Sequence, residues 1–309
     1  MPELPGLERR LTADGSPTLF SQRFQEAFHS SAGARLEADQ KYVLPAQLEH
    51  LPSGATVQVV DVGVGLGYNS AALIEAASDR GLQLLWWGLE LDPEPLTQAL
   101  SDPGFSNQWR PTTLALLQQL LCRGVGAGES SGLSSNSTWH SPLGQGELLW
   151  GDGRARLPEL LGRAAGQCDL VLLDAFSPRR CPQLWTLEFL TGLTQLLSPS
   201  GRILTYCSAA AVRQSLRQIG LQLAAIEAPE SSQSQWSLGT AASWQPLPVG
   251  GGLRELTAME WDHLYTQAAE PYRDPSQTAE ATAIIEARQR AQAASSAAST
   301  SAWRRRWGT

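Results

Sequence analysis

The sequence predicts an α/β protein built on one open, mostly parallel, seven-stranded sheet with helices on both faces. Three observations carry that prediction. Short apolar runs alternate with helix-period segments from Val57 to Gly220, the pattern of parallel strands joined by right-handed crossovers. The first run, VQVVDVG, opens into a glycine loop, Asp61-Val62-Gly63-Val64-Gly65-Leu66-Gly67, and a helix follows. The last two runs, LQLAAIEA and QWSLGTAAS, have no helix between them, so the sheet closes on an antiparallel pair.

The elements follow in order. Residues 1–55 read as a helical and loop-rich lead-in packing on the core, with short helices after Gly33. After the glycine loop, SAALIEAASDR is a helix with small residues toward the sheet. QLLWWGLELD is the second buried strand. Pro93 suits the first turn of the next helix, and TTLALLQQLLCRG is another, ended by Gly124. Residues 124–146 are rich in Gly and Ser and read as a surface loop or disordered insertion. GELLWGD, CDLVLLDAF and RILTYCSA are strands. RARLPELLGRA, LWTLEFLTGLTQLL and AAVRQSLRQIG are helices, the second stopped by Ser198-Pro199-Ser200-Gly201. The closing antiparallel pair separates the methyltransferase variant of this Rossmann-like fold from the plain dinucleotide-binding one. The methyltransferase domain is expected over residues 56–249. Residues 250–309 are expected to form a partly disordered extension with a peripheral helix or two.

Composition narrows the function classes. The 309 residues are 42% hydrophobic and 17% charged, ordinary for a soluble domain with one large core. No apolar run is long enough to span a bilayer, and the N-terminus lacks a signal-peptide core, so a cytoplasmic location without membrane contact is expected. Four cysteines and four histidines are scattered without ligand spacing, so neither a disulfide framework nor a metal site is expected. A net charge of −7 disfavours a protein that coats nucleic acid, yet leaves room for one local basic patch.

Acids at successive strand ends carry the chemistry. The glycines permit a tight turn and close backbone approach to a nucleotide-like cofactor. Glu90, ending WGLELD, is placed to accept hydrogen bonds from ribose hydroxyls. Asp92 competes for that role but better suits capping the helix at Pro93. Asp152, in WGDGRARL, either binds an adenine amino group or caps the next helix. Asp174, in VLLDAFSPRRCP, sits where open α/β sheets bind ligands. An acid there can position an amine and take its proton; the competing reading is another turn acid. Arg179, Arg180, Arg202, Arg213 and Arg217 bind phosphates only if they share a face. Arg304-Arg305-Arg306, between Trp303 and Trp307, is either an RNA contact or a solvated tail. No nucleophile elbow, phosphate-loop lysine or H-E-x-x-H pattern is present.

Four segments then resemble one family, the methyltransferase half of the tRNA 5-methylaminomethyl-2-thiouridine biosynthesis bifunctional proteins. They are FHSSAGARLEADQKYV, DVGVGLGYNS, LLDAFSPRRCPQLWT and LSPSGRILTYCSAAAVRQSLRQIG, spread over residues 28–220. The resemblance implies a class I S-adenosylmethionine-dependent methyltransferase acting on the aminomethyl nitrogen of the wobble uridine of tRNA, position 34. It implies cofactor contacts from Asp61, Gly63, Gly65, Gly67, Asn69, Glu90 and Asp152, with Asp174 beside the amine. It places Glu37, Phe176, Arg179, Arg180, Ser208 and Arg213 on the substrate side. Members of the family also carry a flavin oxidase; no second glycine fingerprint occurs here, so FAD is not expected. Arg179-Arg180 replaces a small residue and a lysine common in relatives. The rival reading is an aminopropyltransferase or small-amine methyltransferase of the polyamine-synthase type. It is distinguished by whether cofactor label enters tRNA or polyamine-like products. A non-catalytic binding module is a further alternative, and absence of cofactor binding would favour it.

Overall fold

Five apolar runs become five parallel strands because each is buried on both faces. The computed structural model describes residues 6–121, 136–228 and 236–308. Its strands are β1 (Leu7–Leu11), β2 (Pro17–Ser21), β3 (Glu26–Ala27), β4 (Thr56–Val62), β5 (Gln83–Glu90), β6 (Ser137–Ser141), β7 (Gly144–Trp150), β8 (Cys168–Leu173), β9 (Leu197–Thr205), β10 (Gln222–Ile226), β11 (Gly239–Ser243) and β12 (Leu253–Arg254). The large sheet runs β12-β10-β11-β9-β8-β4-β5-β7-β6. The pairings within β9-β8-β4-β5-β7 are parallel, and β11 is antiparallel to both β9 and β10. The seven expected strands thus stand in the class I order, and β6 and β12 add one antiparallel strand at each edge.

Alternation along the strands divides the core in two. Val57, Val59, Leu84 and Trp86 point to one face, where the helices Tyr68–Asp79, Glu94–Ser101 and Pro111–Leu121 pack. Val60, Val62, Trp87 and Leu89 point to the other, covered by Gly153–Ala164, Leu187–Thr194 and Ala210–Ile219. Side chains such as Leu117, Leu160, Phe189 and Leu216 are fully buried there, each contributing about 1.5–3 kcal/mol of hydrophobic stabilisation. This sandwich fixes the carboxyl ends of the parallel strands at one rim.

Three segments differ from the sequence expectation. The lead-in begins with a three-stranded antiparallel sheet, β1-β2-β3, and turns helical only from Ala34. A tight turn at Asp14-Gly15 makes the hairpin. Asp14 Oδ1 accepts from Thr12 Oγ1 and from the Ser16 amide, and Gly15 takes φ of +81°. Within the expected insertion, residues 137–146 pair into the β6–β7 hairpin, with Trp139 fully buried against Gly146; the portion up to residue 135 lies outside the described residues. The C-terminal extension is helical over Ala281–Ala294 and Thr300–Trp307. Ile284 and Tyr272 join the second core, and Trp303 stacks on His263 with ring centroids 4.3 Å apart. Trp303 therefore serves packing, and Arg306 and Trp307 both bond Asp262. Arg304, Arg305 and Arg306 are all exposed.

Candidate active site

The carboxyl ends of all five parallel strands open into one cavity of about 550 Å³, within the range of small-ligand sites. Gly63 and Gly65 line it after β4, Glu90 and Asp92 at the end of β5, Asp152 after β7, Asp174 and Phe176 after β8, and Tyr206 after β9. Crossover topology brings these residues together from positions far apart in the chain, as expected at the carboxyl edge of such a sheet.

The glycine loop is built for close approach. Gly63 holds φ at +81°, and a Cβ there would lie 2.8 Å from the Asp174 carbonyl oxygen. A side chain would break the contact between the two central loops. Gly65 sits beneath Phe28, and its amide donates to Glu90 Oε2 at 2.8 Å. Gly67 has a different place. It starts the helix Tyr68–Asp79 at φ +89° and packs on Leu96 and Leu117, away from the cavity.

The strand-end acids divide by environment. Asp61 is fully buried behind the loop and does not line the cavity. Ser70 Oγ donates to its Oδ2 at 2.6 Å, while Oδ1 has no partner. Burial, with Asp174 and Glu90 nearby, pushes its carboxyl up to about 7. Glu90 accepts from the Leu91 and Asp92 amides as well as from Gly65, and burial keeps it above the usual carboxylate range despite those bonds. Asp92 accepts from the Glu94 amide, the helix-start role that its position suggests. Asp152 caps the helix Gly153–Ala164 through the Arg154 amide and also pairs with the Arg154 guanidinium. Burial opposes its ionisation, but the Arg154 bonds outweigh that and hold its carboxyl low.

Asp174 stands at the cavity floor. Asn69 Nδ2 donates to its Oδ2 at 2.6 Å, and the Tyr42 hydroxyl stands nearby, donating to the Leu173 carbonyl at 3.5 Å. Burial raises the carboxyl to about 6; Tyr42 and Asn69 pull it down, Glu37 adds repulsion and Lys41 attraction. Glu37 lines the cavity, paired with Lys41 Nζ at 2.9 Å and accepting from the Ser30 amide.

The N-terminal sheet roofs this floor. Phe24 stacks on Phe176 at 4.3 Å between centroids, and Phe28 meets it edge-on at 4.8 Å. Glu26 Oε2 accepts from the Ser177 amide at 2.9 Å, tying the roof to the loop that carries Asp174. His29, wedged on Tyr68, is held neutral by burial, its ring pushed down to about 4.

Some expected residues stand elsewhere. Asn69 faces Asp174 and does not line the cavity. Arg179 and Arg180 are exposed on the turn after Phe176, outside the lining, and Ser208 is half-buried outside it too. Arg213 cannot contact RNA. It is fully buried, and its guanidinium is spent on Glu260 at 3.1 Å, Thr240, Ser237 and the Gly239 carbonyl. Its place inward on the helix Ala210–Ile219 explains the difference: the arginine serves the core beneath the closing strands. Arg202 likewise bonds Pro45 and Gln47, and Arg217 lies beside Tyr265. Sequence reasoning missed the roles of Tyr42, Lys41, Tyr206, Phe24 and Phe28. Lys41 and Tyr42 lie in the entry segment FHSSAGARLEADQKYV, but only the fold brings that segment under Asp174. Among the described residues, no group of three or more His, Cys, Asp or Glu is arranged to hold a metal ion, and no helix is long and apolar enough to cross a membrane.

Known proteins share this fold and parts of this sequence. A family profile described as S-adenosyl-L-methionine-dependent methyltransferase matches residues 144–231, the stretch holding Asp152 and Asp174. The tRNA 5-methylaminomethyl-2-thiouridine biosynthesis bifunctional protein MnmC of Cupriavidus necator is 27% identical over 76% of this chain and 34% of its own length. The protein of that name from Aeromonas hydrophila is 28% identical over 77% of this chain and 36% of its own. This chain thus spans about a third of the curated relatives' length. Among solved structures, MNMC2 from Aquifex aeolicus superposes with a TM-score of 0.76 at 27% identity, covering 95% of this chain and 87% of that one. The protein has the class I S-adenosyl-L-methionine-dependent methyltransferase fold and is similar over most of its length to the tRNA 5-methylaminomethyl-2-thiouridine biosynthesis proteins.

Proposed function

We propose that this protein is an S-adenosyl-L-methionine-dependent methyltransferase that acts on tRNA. It converts the aminomethyl group of 5-aminomethyl-(2-thio)uridine at the wobble position to methylaminomethyl. The observation that carries the reading is Asp174: a half-buried carboxylate on the cavity floor, raised to about 6 by loss of solvent, next to the glycine loop. The relatives' names supply the nucleoside.

The residues present fit the cofactor. Gly63 and Gly65 line the cavity with bare backbone, and Glu90 and Asp152 offer acceptors at the ends of β5 and β7, suited to ribose hydroxyls and an adenine amino group. Bound S-adenosyl-L-methionine supplies an activated methyl group on a positively charged sulfur. The protein's share is positioning and proton control. A primary alkylamine is protonated at neutral pH, and its nitrogen has no lone pair until a proton leaves. The roof of Phe24, Phe28 and Phe176 excludes water, so the proton has to leave to a group of the protein. Asp174 receives the ammonium, orients it and accepts that proton. Glu37, neutralised by Lys41, adds a second acceptor beside the same floor.

The test is direct. The purified protein is incubated with methyl-labelled cofactor and tRNA carrying 5-aminomethyl-2-thiouridine, and digested nucleosides are read by mass spectrometry. The expected product is the methylaminomethyl nucleoside; absence of label from tRNA, with label transferred to free polyamines, would overturn the reading.

A further inference from the structure

We propose that Asn69 is a positioning residue for Asp174 and makes no contact with the cofactor. The inference rests on the reading of Asp174 given above. The sequence pattern sets Asn69 two residues beyond the last loop glycine, a place suggesting a cofactor contact. The structure turns it the other way. Asn69 is 6% exposed, is absent from the cavity lining, and spends its amide on Asp174 Oδ2 at 2.6 Å. It is the second residue of the helix Tyr68–Asp79, whose start is pinned by left-handed Gly67 and whose face is buried through Ala71, Ala72 and Leu73. That backbone cannot drift, so the amide is a fixed donor.

Asn69 is the side-chain donor seated on the Asp174 carboxylate. The Tyr42 hydroxyl stands beside it and also favours ionisation of Asp174, but it donates to the Leu173 carbonyl at 3.5 Å and accepts from the Tyr206 amide at 3.3 Å. A donor such as Asn69 does two things. It holds the carboxylate plane in one orientation toward the cavity, and it favours the ionised form against burial. Removing the Asn69 amide therefore raises the Asp174 carboxyl further and frees its rotation. The other groups acting around this carboxylate are Glu37 and Lys41 from the entry helix, Tyr42 and Tyr206, and Asp61 from β4. Asp61 titrates in a neighbouring range, but it is bonded to Ser70, so substituting Asn69 leaves it in place.

The experiment compares Asn69→Ala, Asn69→Asp and Asp174→Asn with the wild type. It records kcat against pH on aminomethyluridine tRNA, and S-adenosylhomocysteine affinity by calorimetry. For Asn69→Ala, kcat at neutral pH falls about ten- to hundredfold, the scale of a lost bond to a charged group. The acidic limb of the profile moves up by about one pH unit or more, and S-adenosylhomocysteine affinity stays within about twofold of wild type. Asn69→Asp keeps the shape but swaps the donor for a second carboxylate, so its limb moves further; it stands in if Asn69→Ala fails to fold. Weakened S-adenosylhomocysteine binding with an unmoved limb would return Asn69 to the cofactor. A wild-type rate and profile would equally overturn the proposal. Wild-type turnover by Asp174→Asn would instead sink the reading of Asp174 itself, so the two failures are distinguishable.

Discussion

Replacing Asp174 with asparagine is expected to abolish methyl transfer and, in the cofactor-free protein, to raise stability at neutral and alkaline pH. Burial lifts this carboxyl from an ordinary 3.8 to about 6. The folded state therefore binds the proton more tightly than the unfolded chain. As pH rises, the unfolded chain ionises first, and folding becomes progressively costlier until the folded-state carboxyl has ionised near 6. Above that, the whole penalty is present. At 1.36 kcal/mol per unit, a shift of about two units corresponds to about 3 kcal/mol. Asparagine keeps the shape and never ionises, so it escapes the penalty. The assay is thermal unfolding of wild type and variant at about pH 4 and about pH 8. The two proteins should lie closest at the lower pH. The variant should gain on the wild type by about 6 °C at the higher one, taking about 2 °C per kcal/mol for a chain of this size. A difference independent of pH, or a variant less stable at the higher pH, would refute the reasoning.

The other predictions address neighbouring features. Glu90→Ala should weaken S-adenosylmethionine binding by about 1.5–3 kcal/mol, as removal of a charged acceptor does; unchanged affinity in calorimetry would count against its place in the cofactor site. Gly63→Ala drives a Cβ to 2.8 Å from the Asp174 carbonyl in a left-handed backbone. It should destabilise by about 1–3 kcal/mol in denaturant unfolding and abolish cofactor binding. Arg213→Ala removes one of the two guanidinium partners of buried Glu260 and leaves Thr240, Ser237 and the Gly239 carbonyl without theirs, while Arg254 and Thr257 still hold Glu260, so unfolding free energy should fall by about 1–3 kcal/mol. A variant that instead folds normally but binds tRNA more weakly would restore an RNA role to Arg213.

The sheet was legible because buried parallel strands leave continuous apolar runs, and VQVVDVG, QLLWWGLE and CDLVLLDAF could hardly be anything else. The acids at their ends were legible for the same reason: where a run stops, the rim of the sheet begins. The roof was not, because an edge hairpin leaves a weak mark. LERRL is exposed along nearly its whole length, and its charges resemble a helix surface. The Asp14-Gly15 turn between it and PTLFS was the available signal. The β6 strand hid inside a Gly/Ser-rich stretch, although Ser137 and Trp139 alternate inward with Thr138 and His140 outward. Arg213 and Asn69 illustrate a different blindness. Residue type named their chemistry correctly, a cation and an amide donor, but only the fold decides which way each faces.

Seven carboxylates and three cationic side chains line the cavity among the described residues. Such a wall creates a negative potential focused by the apolar roof. It welcomes positively charged visitors, an ammonium or a sulfonium among them, and it repels phosphates. For a tRNA acceptor this dictates how the substrate must arrive. The ribose-phosphate strand has to stay outside, and the modified base has to be turned out of its stack and enter by its aminomethyl arm alone. On the proposed reading the interior would select the arm by charge, and recognition of the polymer would fall to the outer surface, where Arg179 and Arg180 stand exposed on the turn after Phe176.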